Sequence, residues 1–264
     1  MREQLAALAE DAWDVLIVLD ACRADVFAEV CQPAEVVRSP FIHTPGWIHR
    51  VGPLLWQQRV VYFTANPVVD RECKRHDFHI ELVSVWQRLW GRYTEEAIPS
   101  VHPLSVNGAV LTWEALGKLR KRKIVVHYLQ PHCPYIGAVP LALGRWGGTG
   151  GPAGGAFGEA CHDLKHPVKA VEQGAADWEL VRRAYRANLK LVWHAARQLA
   201  AAVPSRRVVV TADHGELLGE DGKFGHEGGY TEYEDLWRVP WLAIERGAIK
   251  QESTEQKLEA LGYV

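Results

Sequence analysis

The sequence predicts an α/β fold, with a mainly parallel central sheet and helices on both faces. Five short apolar runs, at 15–20, 59–64, 124–129, 207–213 and 239–244, have the continuous aliphatic character of strands buried on both sides. Segments with helical spacing separate them, and strands alternating with helices build a parallel sheet covered on both faces. Hydrophobic residues make up 48% and charged residues 23% of the 264 residues. That ordinary globular usage excludes disorder, collagen and a coiled coil as the main state.

Residues 1–12 read as a short helix with Leu5, Leu8 and Ala9 on one side. The run 15–20 is the first strand and ends in Asp20, and 21–30 follows with helical spacing. The run 59–64 is the second strand. Residues 107–121 read as a helix with Asn107 as its N-cap. The run 124–129 is the third strand. Val181, Ala184, Tyr185, Val192, Ala195, Ala196 and Leu199 keep the helical rhythm through a long helix at 177–202. The fourth strand, 207–213, ends in Asp213, and 239–244 is the fifth. Ser253 and Thr254 can cap a last helix at 255–261. Residues 144–158 hold eight glycines and Pro152, so they read as a flexible loop that could act as a lid. With no internal repeat and no linker, 1–264 reads as a single domain.

Thirty basic residues against thirty-two acidic ones leave a net charge of −2. That balance offers nothing to a polyanion, so no nucleic-acid partner is expected. The five cysteines are scattered and lack C-x-x-C spacing, which fits neither a disulfide framework nor a zinc knuckle. No cationic start precedes an apolar segment, and no run reaches the roughly 18 apolar residues of a membrane span. The expectation is a cytoplasmic protein with reduced, buried thiols and no membrane partner.

Ligands of parallel α/β sheets bind at the carboxyl ends of the strands. The first strand ends at Asp20, the third runs into Gln130-Pro131-His132-Cys133-Pro134-Tyr135, and the fourth ends at Asp213-His214-Gly215-Glu216. Acids and imidazoles thus meet on one edge. That mixed set suits manganese or zinc, with magnesium or calcium as the harder alternatives. Such a cation neutralises the oxygens of a phosphate or sulfate ester and activates a coordinated hydroxyl. His226 follows His214 by twelve residues in a glycine-rich segment, where it could hand a proton to a leaving oxygen.

These residues resemble the sulfatase-like branch of the alkaline phosphatase superfamily. VLIVLDACRAD at 15–25 is similar to its opening strand and D-x-x-R. His132-Cys133-Pro134-Tyr135 is similar to its PH-x-PY segment, and TADHGE at 211–216 to its second metal motif. Phe224-Gly225-His226, then Tyr233-Glu234 with Arg238-Val239-Pro240, follow in family order, as does the ending at 258–264. The resemblance implies a metal-dependent hydrolase or transferase of phosphate, phosphonate or sulfate esters. It makes Asp20, Asp213 and His214 metal ligands. It sets His132 and His226 against the transferring group and the leaving oxygen, with Tyr135 beside His132 on the substrate. The spacing of His214 and His226 resembles that of phosphoethanolamine transferases and phosphonate monoester hydrolases.

The resemblance also implies a nucleophile at a helix start. The oxidised C-x-P-x-R cysteine of sulfatases proper is absent. Thr44 is the candidate, read as an N-cap with Pro45 at the first helical position and free amides facing an anion. It would also be a metal ligand, and Ser39 is the fallback. The D-x-x-x-H of two-metal members is missing, so one divalent ion is expected. The expected activity is hydrolysis of a small anionic phosphate-type ester. Alternatives are sulfuric ester hydrolysis, transfer of a phosphoryl-linked group, or a degenerate anion-binding protein.

Overall fold

The chain is organised around β2 (Val15–Asp20), all six of whose residues are buried. The structure is a computed structural model that describes residues 1–93, 98–141, 167–203 and 206–244. The glycine-rich segment 144–158 and the expected last helix at 255–261 lie outside the described residues. No helix among the described residues is long and apolar enough to cross a membrane.

In chain order the main sheet comprises β1 (Arg2–Glu3), β2, β3 (Glu35–Arg38), β4 (Val61–Thr64) and β5 (Glu81–Ser84). The short pair β6 (Gly91–Tyr93) and β7 (Ile98–Ser100) stands apart. The main sheet resumes with β8 (Ile124–Pro131) and β9 (Val208–Ala212). After a two-stranded ribbon of β10 (Leu217–Leu218) and β11 (Phe224–Gly225), it closes with β12 (Arg238–Ile244). The eight strands are ordered β1-β3-β12-β9-β2-β8-β4-β5. From β9 to β5 every pairing is parallel, with Val15 level with both Ile124 and Val208. β12 runs antiparallel to both of its neighbours. The sheet is therefore mainly parallel, as the sequence predicts.

The helices are α1 (Gln4–Glu10), α2 (Ala24–Val30), α3 (Thr44–Gln57), α4 (Pro67–Arg75), α5 (Trp86–Leu89), α6 (Pro103–Ala115), α7 (Pro167–Glu172) and α8 (Trp178–Ala202). α8 starts at Asp177, whose carboxylate accepts from the Leu180 amide at 2.7 Å. α6 departs from the sequence reading. It begins at Pro103, and the His102 side chain caps it by accepting from the Leu104 amide at 3.2 Å. Proline is pre-set for a first helical turn, whereas Asn107 sits inside the helix. Its amide donates to the Ala195 carbonyl at 2.8 Å, and its oxygen accepts from the Tyr128 hydroxyl at 2.5 Å. Asn107 therefore ties α6, α8 and β8 together rather than capping a helix.

Asn188, wholly buried on α8, does the same for the loop after β8. Its amide nitrogen donates to the carbonyls of Pro131 (3.2 Å) and His132 (3.0 Å), and its oxygen accepts from the Ile136 amide at 3.1 Å. Those bonds fix the 131–136 turn at the carboxyl edge of the sheet.

Candidate metal centre and nucleophile

The ends of β2 and β9 lie side by side, which brings Asp20 and Asp213 together; both are essentially inaccessible. Ala21 turns the chain with φ 57°, a left-handed conformation that non-glycine residues rarely adopt. Its amide donates to Asp213 Oδ1 at 3.0 Å, and so does the His214 amide. With Oδ1 engaged, Oδ2 faces the site. Thr44 Oγ1 donates to it at 2.7 Å and lies 3.3 Å from His214 Nε2. Asn66, the cap of α4, donates to Asp20 Oδ2 at 2.7 Å and reaches toward Thr44 Oγ1 at 3.4 Å. Asp20, Thr44, Asp213 and His214 are thus in one buried cluster, and Asn66 belongs with them although the sequence reading passed over it.

The helix start is built differently from the sequence expectation. His43 is the cap and Thr44 the first helical residue. The Gly46 amide donates to His43 Nδ1 at 3.0 Å, the Trp47 amide bonds the His43 carbonyl, and Pro45 has no N–H. The amides expected to face an anion are therefore largely used, and charge compensation falls to side chains. Ser39 is turned into the backbone: its hydroxyl lies 2.5 Å from the Asp213 carbonyl and 2.8 Å from that of Phe41.

A second cluster adjoins the first. Glu216 Oε1 lies 2.9 Å from His226 Nδ1, and Oε2 lies 3.8 Å from His132 Nε2. The rings of His132 and His226 are 5.2 Å apart, and His226 is 4.1 Å from the ring of His214. His132 Nδ1 also bonds the Cys133 carbonyl. Glycine is required at 215, because a Cβ there would lie 1.8 Å from the Asp235 carbonyl oxygen. Tyr135 is fully buried, its hydroxyl has no hydrogen-bond partner, and it feels the charge of Glu216.

Burial of so many ionisable groups has clear electrostatic consequences. Desolvation, then the Asp213 charge, pushes the Asp20 carboxyl well above its ordinary range. Burial also opposes the charge on Asp213, but His214 holds that carboxyl well below its usual value. Against the same burial, Asp213 lifts His214 to about 9. Desolvation raises Glu216 to about 7 and lowers His132 to about 4, and it takes His226 well below its usual value.

Among the described residues, two sets of side chains could hold a cation. Asp20, His127 and Asp213 place ligand atoms within 4.8 Å of one another, and so do His132, Glu216 and His226. The single-ion expectation thus meets two clusters. Asp20 Oδ1, His127 Nε2 and Glu216 Oε2 are buried without a hydrogen-bond partner. Orphaned buried acceptors are costly unless a proton, a water or an ion meets them, so the donor set fits a divalent cation. His127 escaped the sequence reading. Its one local signal was an imidazole inside the otherwise aliphatic and aromatic run 124–129.

No family model matches the chain, and no curated protein sequence matches it. Solved structures do. The soluble domain of lipooligosaccharide phosphoethanolamine transferase A from Neisseria meningitidis is 12% identical, with a TM-score of 0.53 over 89% of this chain and 76% of that one. This chain spans only 49% of that integral membrane protein. The periplasmic domain of phosphoethanolamine transferase EptC from Campylobacter jejuni is 14% identical, with a TM-score of 0.50 over 88% and 78% of the two chains. A sulfatase-like protein from Bacteroides thetaiotaomicron is 13% identical, with a TM-score of 0.55 over 90% and 65%. At such identities the likeness is one of architecture: the chain shares the alkaline-phosphatase-like fold of these structures.

Proposed function

We propose that the protein is a metal-dependent enzyme that cleaves phosphate-type esters through Thr44. The observation that carries this reading is the position of Thr44 Oγ1, 2.7 Å from Asp213 Oδ2 and 3.3 Å from His214 Nε2 at the first turn of α3. Asp20, Asp213, His214 and Thr44 would hold the cation. When bound, it lowers the pKa of a hydroxyl and compensates charge on phosphoryl oxygens.

The side chains do the rest. Asp213 Oδ2 accepts the Thr44 hydroxyl proton in a hydrogen bond and thereby orients the oxygen toward the open side. The Asn66 amide anchors Asp20 and offers an N–H beside the attacking atom. His226 has Nδ1 held by Glu216 Oε1, which leaves Nε2 for an oxygen of the substrate. Thr44 loses its hydroxyl proton to solvent and attacks phosphorus, the phosphoryl group becomes bonded to Oγ1 as the bond from phosphorus to the leaving oxygen breaks, and the alcohol departs with a proton from the His226 side. The imidazole then takes a proton from the second nucleophile, which breaks the Oγ1–P bond. That nucleophile is water in a hydrolase and an acceptor hydroxyl in a transferase. The fold likeness to two phosphoethanolamine transferases supports keeping the second reading beside the first.

The test is a panel of aryl phosphates, phosphodiesters, phosphonates and sulfates with manganese or zinc, with and without an acceptor alcohol. Mass spectrometry of the Thr44 peptide would follow the adduct. A phosphorylated Thr44 and faster turnover of phosphate-type esters are expected. His226→Ala should slow poor leaving groups more than good ones. Faster sulfate ester turnover without an adduct would overturn the reading.

A further inference from the structure

β8 carries one imidazole in its interior, and nothing in the chemistry above uses it. His127 is level with Val18 of β2 and Thr64 of β4, so it sits at the centre of the sheet with no exposure. Its ring packs edge-on to Trp47 of α3, with centroids 6.2 Å apart. Nδ1 lies 2.8 Å from the hydroxyl of Tyr62, itself fully buried on β4. Nε2 has no hydrogen-bond partner.

A buried histidine that serves only packing satisfies both nitrogens or pairs its free one with water. Here a carboxylate oxygen, Asp213 Oδ2, lies 3.7 Å from Nε2. That is too long for a hydrogen bond. Asp20, whose Oδ1 is likewise without a hydrogen-bond partner, offers a carboxylate oxygen to the same group of ligand atoms within 4.8 Å. Two carboxylates and an imidazole lie around one point; Thr44 donates to Asp213 Oδ2 and Asn66 to Asp20 Oδ2, while Asp20 Oδ1 and His127 Nε2 have no hydrogen-bond partner. Ligand atoms on one zinc ion, each about 2.0–2.2 Å from it, stand roughly 3–4 Å apart. The 3.7 Å between His127 Nε2 and Asp213 Oδ2 is of that size.

We propose that His127 Nε2 is a ligand of the cation held by Asp20 and Asp213, oriented by an Nδ1–H···Oη bond to Tyr62. This rests on the metal-centre reading above and adds a residue to it. The tautomer follows: with the proton on Nδ1, the Nε2 lone pair points into the cluster. Metal-bound histidines commonly donate their other nitrogen to such a partner, which fixes the ring and its basicity. A hydroxyl in that role is weaker than a carboxylate and adds no charge to a site that already holds two.

The test uses the full chain and zinc alone. Zinc affinity is measured by chelator competition for the unsubstituted protein and for Asp213→Ala, His127→Leu and Tyr62→Phe. In parallel, ¹⁵N-histidine NMR follows His127 in the unsubstituted protein with and without zinc. Tyr62→Phe should raise the zinc Kd by roughly 10–100-fold, the usual scale for losing an orienting partner, and His127→Leu by at least as much. The Nε2 resonance should move to the position of a metal-bound nitrogen. If His127→Leu fails to fold, the NMR experiment decides without it. Zinc lost in Asp213→Ala, with the His127 Nε2 resonance unmoved on loading, overturns this inference and leaves the centre standing. A protein that binds no zinc overturns both.

Discussion

Two ionic clusters grow from the carboxyl end of β2, three residues apart, and they are built on opposite plans. Arg23 is 7% exposed and surrounded by countercharge: Asp25 at 2.8 Å, Glu220 at 2.6 Å, Asp235 at 3.2 Å, with the Glu216 carbonyl at 3.3 Å. All three carboxylates share the one guanidinium, and the cluster pins the 216–220 and 234–236 segments to the turn after β2. Asp20 sits in deeper burial beside a second carboxylate, with a neutral amide as its donor and one oxygen orphaned. Charge buried against its opposite builds structure. Charge buried against its like makes sense where something cationic completes it.

That comparison can be broken by substitution. The largest effect on stability belongs to Arg23→Met, which leaves three part-exposed carboxylates without their common donor at a cost of about 1–3 kcal/mol. Thermal unfolding should move down by roughly 2–12 °C, at about 2–4 °C per kcal/mol for a domain of this size. An unchanged midpoint would show that the Arg23 cluster is ornament.

Thr44→Ala should lower kcat by roughly 10²–10³, the scale for losing one key catalytic group, while the thermal midpoint stays close to its starting value. A loss below about tenfold would move the nucleophile elsewhere. Removing the metal comes next. Chelation should lower the unfolding midpoint by several degrees, because a ligand at a hundred times its Kd adds about 2.7 kcal/mol. The Arg23 cluster, complete without an ion, should be indifferent to chelator.

Asp20→Asn sharpens the contrast from the other side. It should abolish metal binding yet stabilise the metal-free protein by about 1 kcal/mol, since it removes one of two like charges held out of water. The sign with pH follows from the raised Asp20 carboxyl. Below its ordinary value Asp20 carries a proton in both folded and unfolded states, so the two proteins should converge in acid and part as pH rises.

The smallest effect is the opposite titration of the Arg23 cluster. Burial raises the Asp25 and Glu220 carboxyls, but Arg23 outweighs it and holds both below their usual values. Their contribution is present above the ordinary carboxylate range and is lost as pH falls through their folded values. Asp25 is more than half exposed, so solvent screening keeps its share under about 1 kcal/mol. Melting curves between about pH 3 and 6 should show the gap between the unsubstituted protein and Arg23→Met narrowing in acid.

What could be seen in the sequence is what depends on near neighbours. The aliphatic runs that became β2, β8 and β9 declare burial on both faces through their own composition, and the rhythm of α8 declares its apolar stripe. Asp20 and Asp213-His214 could be singled out because each closes such a run. Asn107 was misread because a capping residue and a buried amide look alike until Tyr128 and Ala195 are in place. Thr44 lost the cap to His43 for a related reason: either side chain could accept from the first turn, and the surrounding packing chose the imidazole. His127 and Asn66 needed the whole sheet, because only the order β9-β2-β8-β4 sets an imidazole from one strand and an amide from the turn after another beside two carboxylates. Strand order is decided by contacts between residues far apart in the chain, and no local pattern of residues carries it.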